Sequence, residues 1–135
     1  MSIAISTSLQ STFADAVART RDALAAQGFG VLTEIDMKAT LKAKLGQDME
    51  NYLILGACNP PLAHRAVDID RQIGLLLPCN VVVRTDPADD SRVIVEAMNP
   101  QLLVQVTGES ALQDVADAVT SKLRAAIEAL GPASA

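Results

Sequence analysis

The chain has 135 residues, with 50% hydrophobic and 20% charged, a composition that fits one globular domain and excludes intrinsic disorder. Its formal charge of -5 speaks against nucleic acid, whose phosphates require a concentrated Lys/Arg surface, and Phe13, Phe29 and Tyr52 are too few to build a base-stacking platform. The opening Met1-Ser2-Ile3-Ala4-Ile5-Ser6 lacks the basic flank and apolar core of a secretory signal, and the uncharged run Gln72 to Val83 is far shorter than the roughly 20 residues of a spanning helix. A cytoplasmic protein with no membrane or nucleic-acid partner is expected.

Ile3 to Thr7 opens as a short strand, and Thr7-Ser8-Leu9-Gln10 has the spacing of a capping box, predicting a helix from there to about Gln27, where Gly28 stops it. Phe13, Val17 and Leu24 recur on one face of that helix, leaving Arg19, Arg21 and Asp22 to water. Phe29 to Ile35 reads as a second strand. Asp36 then caps a short helix striped by Met37, Leu41 and Leu45 and ended at Gly46. Asn51 to Cys58 is nearly apolar throughout, as a central strand or one covered on both faces would be.

Asn59 is a natural helix cap and Pro60 a natural first helical residue, because proline's missing N–H has no helical partner at that position. A short helix from Pro60 to about Ile69 follows. Cys79 to Arg84 forms a fourth strand, the turn-formers of Asp86 to Ser91 reverse the chain, and Arg92 to Met98 returns as its hairpin partner. Asn99-Pro100 begins a short turn or helix. Ser110-Ala111-Leu112-Gln113 is a second capping box, opening a long amphipathic helix through Leu112, Val115, Val119, Leu123, Ile127 and Leu130 that Gly131-Pro132 ends. The order predicts a single α+β domain over residues 1–131. About five antiparallel strands carry two long helices on one face plus short helices, with a flexible tail at 132–135.

Chemistry concentrates at two junctions, Cys58-Asn59-Pro60-Pro61 and Pro78-Cys79-Asn80, with the lone His64 between them. If their strands are neighbours the two cysteines share one rim, and the cap of the helix after Asn59 would favour a thiolate at Cys58. Cys58, Cys79 and His64 could then hold zinc or copper, with Glu34 or Asp36 completing the set, although neither cysteine has the close partner usual in structural zinc sites. A resolving thiol pair and two buried structural cysteines stand as alternatives. The asparagines Asn59 and Asn80 read first as caps or turn-formers, Glu34 as a solvated strand residue, and the acidic run Asp86, Asp89, Asp90 as a hairpin tip without the pattern of a calcium loop. No Ser-His-Asp arrangement is visible, and a Cys58–His64 pair lacks an orienting group and oxyanion donors, so an enzyme is not the favoured reading.

The runs Leu55-Gly56-Ala57-Cys58-Asn59-Pro60-Pro61-Leu62-Ala63-His64-Arg65-Ala66 and Ile73-Gly74-Leu75-Leu76-Leu77-Pro78-Cys79-Asn80-Val81-Val82-Val83 closely resemble the domain of unknown function 302 family. The resemblance covers nearly the whole chain and implies a small β-α-β4-α domain that pairs into homodimers, with no assigned reaction. Together these features lead to a non-catalytic module binding a small ligand or soft metal ion near Cys58, Asn59, His64, Cys79, Asn80 and Glu34. The alternatives are thiol-redox or sulfur-transfer chemistry at Cys58 and Cys79, and a purely structural domain.

Overall fold

The computed structural model describes residues 2–131, so the tail expected at 132–135 lies outside the described residues. In chain order the elements are β1 (Ala4–Gln10), α1 (Phe13–Ala26), β2 (Gly30–Asp36), α2 (Met37–Leu45), β3 (Tyr52–Cys58) and α3 (Pro60–Ile69). A 3-10 turn (Arg71–Leu75) leads to β4 (Cys79–Asp86), β5 (Asp89–Met98) and α4 (Gln101–Thr107), and a second 3-10 turn (Ser110–Leu112) to α5 (Gln113–Leu130). The strands form one antiparallel sheet in the order β1-β5-β4-β3-β2, so β2 to β5 are a meander and β1 returns to the edge beside β5.

Side-chain alternation divides the sheet into two faces. Ile5 and Leu9, Leu53, Leu55 and Ala57, Val81 and Val83, and Val93, Val95 and Ala97 all point into one core. Over them lie α1 and α5, packed on each other, with α3 and α4 against α5. Ala16, Thr20 and Leu24 are the buried stripe of α1, and the Thr20 hydroxyl is satisfied by donating to the Ala16 carbonyl at 2.7 Å. The opposite face is covered less fully and keeps Tyr52, Ile54, Val82, Arg84, Ile94, Glu96 and Met98 half-buried. β3 is the internally placed strand that its apolar run allowed, paired with β2 on one side and β4 on the other, with Tyr52 and Ile54 half-buried on its less covered face.

Two boundaries differ from the sequence expectation. Thr7-Ser8-Leu9-Gln10 is strand, not a capping box, because Leu9 is 2% exposed in the core while pairing with β5. The cap of α1 is Thr12, whose side chain accepts from the Asp15 N–H. Likewise Ser110 starts a 3-10 turn capped by Glu109, and α5 begins at Gln113. The Met37-Leu41-Leu45 stripe of α2 buries no residue, and Leu45 is 65% exposed.

Two glycines are dictated by geometry. Gly46 ends α2 in the left-handed region at φ 68°. Gly56 lies where a Cβ would fall 2.9 Å from Pro78 Cγ and still closer to the Thr33 hydroxyl, so the approach of β2 and of the Leu77-Pro78 segment to β3 depends on the missing side chain.

Candidate functional site

The ends of β3 and β4 bring both cysteines to the same place. Ala57 pairs directly with Cys79, and Cys58 is the next residue along. Opposite residues in such a ladder are about 5 Å apart and the rise is about 3.4 Å, so the two Cα atoms are diagonal neighbours about 6 Å apart. Alternation, however, gives the face of Cys79 to Ala57 and the other face to Cys58. Cys79 is accordingly buried at 4% exposure, and Cys58 is half-exposed.

What the cysteines share is a cavity of about 40 Å³. Leu62, Ala63 and Ala66 of α3, Leu103 of α4, and Val115 and Val119 of α5 line it from the helical side. Phe29, Ala57, Cys58, Asn59, Leu77, Pro78 and Cys79 complete the wall. α3 presents these residues because Leu62 and Ala66 are one helical turn apart, an arrangement that starts at the cap: the Asn59 Oδ1 accepts from the Leu62 N–H at 3.4 Å. Its Nδ2 donates to the Gln27 carbonyl at 3.5 Å, so the one amide in the wall is taken up by backbone.

The same cap limits what the helix can offer a thiolate. Pro60 and Pro61 have no N–H, and the third helical N–H goes to Asn59, so the first turn has no donor left to turn toward Cys58. Burial pushes the Cys79 thiol up to about 11, and the charge of neighbouring Cys58 adds to that rise. Cys79 is thus an uncharged thiol at neutral pH, and any sulfur chemistry would have to begin at Cys58.

The remaining residues expected at the site lie elsewhere. His64 is on the outer side of α3, its side chain 78% exposed, with Nε2 3.6 Å from Asp68 one turn on. Helix phase puts it there: Leu62 and Ala66 face inward, and a residue midway between them must face out. Glu34 pairs with Arg21 of α1 at the sheet edge. Asn80, next to Cys79, alternates onto the uncovered face. Of the metal set Cys58, Cys79 and His64, the two cysteines come together and His64 does not. Among the described residues no group of three His, Cys, Asp or Glu side chains is placed to hold a metal ion.

Residues that sequence reasoning left out of the site make most of its wall. Val115 and Val119 were visible as the apolar stripe of α5, but only the packing of α3 on α5 turns them into cavity lining. No helix of the described residues is long and apolar enough to cross a membrane.

The arrangement has a counterpart among solved structures. The crystal structure of an uncharacterized conserved protein DUF302 from Bacillus stearothermophilus superposes with a TM-score of 0.85 at 25% sequence identity, covering 95% of this chain and 98% of that one. No curated protein matches the chain. The model of the family described as domain of unknown function DUF302 matches residues 5–130, and with the sheet order and strand-end junctions now in place, this chain belongs to that family.

Proposed function

We propose that the protein is a non-catalytic, cytoplasmic, homodimeric binding module whose small ligand enters the cavity beneath α3 at the ends of β3 and β4. The observation that carries this reading is an almost wholly apolar cavity of about 40 Å³ meeting a half-exposed thiol at Cys58 and a buried one at Cys79. A water-sized guest needs only about 10–15 Å³, so there is room for a few heavy atoms. The ligand is therefore a small apolar molecule or the alkyl end of a larger one. With its only amide bonded to backbone, the wall selects by size and apolarity.

A non-catalytic role is supported by chemistry as well. Neither cysteine is within hydrogen-bond reach of a base among the described residues, and the single histidine faces solvent. A soft metal ion, zinc or copper, would have to rely on the two sulfurs with ligands from solution. For the homodimer, the supporting feature is the sheet edge at β2, where Leu32 and Ile35 are 65% and 45% exposed. A second copy would cover them.

Xenon tests the cavity. In NMR spectra recorded under xenon pressure, the methyl signals of Leu62, Leu103, Val115 and Val119 are expected to shift saturably, and Ala66→Val, which fills the space, should abolish the effect. Uniform, unsaturable shifts across the protein would sink the cavity reading. Sedimentation of the wild type against Ile35→Lys tests the dimer, and a monomer at all concentrations would remove it.

A further inference from the structure

The sheet's uncovered face holds a second and larger concavity, of about 360 Å³, that shares no residue with the one beneath α3. Val82, Met98 and Leu102 supply its apolar surface, and Tyr52, Asn80 and Glu96 its polar groups. The ladder explains how these meet. Val82 stands opposite Glu96 across β4 and β5, and Tyr52 opposite Arg84 across β3 and β4, so one carboxylate, one phenol and one guanidinium occupy neighbouring positions on three central strands.

Hydrogen bonding leaves that constellation incomplete. Arg84 Nε donates to Glu96 Oε1 at 2.8 Å, with the two side chains 24% and 32% exposed, which holds the carboxylate in place and engages one of its oxygens. Neither the Tyr52 hydroxyl nor the Asn80 amide bonds to another described residue, so both stay open toward the concavity. Glu96 is the one lining residue charged at neutral pH, no basic residue lines the wall, and the whole chain is at -5. Small-molecule sites typically combine about 300–1,000 Å³ of mostly apolar space with a few convergent polar groups.

We propose that this concavity is a binding site for a small organic cation with a flat apolar body, its ammonium or amidinium group meeting the free oxygen of Glu96 and its ring lying on Val82 and Met98. Asn80 and Tyr52 then bond whatever polar atoms the ligand carries at its rim. The site is independent of the cavity at Cys79, and a ligand at one leaves the other free.

Tryptamine is the probe, with indole-3-acetate as its charge-reversed counterpart. In ¹⁵N-resolved NMR titrations of the full chain, tryptamine is expected to shift the amides of Val82, Ala97 and Met98 saturably and to bind at least about tenfold more tightly than indole-3-acetate, as a charge-assisted hydrogen bond implies. Glu96→Gln keeps an oxygen for Arg84 and should cost tryptamine about tenfold. Val82→Lys, whose own ammonium reaches the same carboxylate, should weaken it comparably should the first variant fail to fold. Equal affinity for the two probes, an unchanged affinity in both variants, or shifts confined to other surfaces would overturn the proposal. So would a solution dimer that shields these amides from both probes.

Discussion

The two faces of the sheet use the same strands under different rules. On β4, Cys79, Val81, Val83 and Thr85 are buried, while Val82, Arg84 and Asp86 between them are half-buried and Asn80 is exposed. The covered face is packed by helices around a cavity of about 40 Å³, and the one side-chain amide in that cavity's wall is tied to backbone. The uncovered face keeps an ion pair, a phenol and a free amide around a hollow about nine times larger. Burial removes polar choices on one side, and exposure preserves them on the other. On the two proposals made above, shape selects the ligand on the first face and charge the ligand on the second.

The largest test of this contrast uses adjacent residues of β3. Leu55→Ala on the covered face, at 0% exposure, should cost about 2–5 kcal/mol in urea denaturation, whereas Ile54→Ala on the uncovered face should cost about 1 kcal/mol or less. Equal costs would mean that the second face is buried in solution.

Next comes the alkaline limb of the stability curve. Above the ordinary thiol value of 9.0 the unfolded chain releases the Cys79 proton while the native state, held at about 11, keeps it, so stability is fully present below 9.0 and falls as pH rises toward 11. The loss attributable to this thiol should reach about 2–3 kcal/mol, and Cys79→Ala should flatten that part of the curve. A pH profile unchanged by the substitution would show that Cys79 is hydrated. Gly56→Ala should cost about 1–3 kcal/mol, because Thr33 and Pro78 occupy the space its methyl needs.

The smallest effect belongs to Cys58. Cys58→Ser should change stability by about 0.5 kcal/mol or less, yet iodoacetamide should alkylate Cys58 at least about tenfold faster than buried Cys79. Comparable rates for the two thiols would erase the difference between rim and wall.

Much of this was legible because it depends on local rules. Asn59-Pro60 announced a helix start, Gly46 a helix end, and the runs at Asn51 to Cys58 and from Cys79 their strands, the first of which starts at Tyr52. The outward turn of His64 and the change of face between Cys79 and Asn80 also follow from periods of 3.6 and 2, once it is known which neighbours are buried. What resisted reading was tertiary. Thr7-Ser8-Leu9-Gln10 satisfies a capping pattern, and only the burial of Leu9 against distant elements decides for strand. The cavity wall draws on α3, α4 and α5 together, and no single segment carries its outline. Which sheet face would be left bare is likewise a property of the whole packing.

The lateral position of β1 bears on how the chain reaches this structure. β2, β3 and β4 each pair with the next strand in sequence, but Ala4 of β1 must find Met98 and Gln10 must find Arg92. The Thr7 hydroxyl closes a still wider span by donating to the Gly131 carbonyl at 2.9 Å. Closing loops of that length delays contact formation, so the meander can assemble as it is synthesised while β1 waits for β5 and α5. On the ribosome, the first strand made has no partner until the fifth has been made.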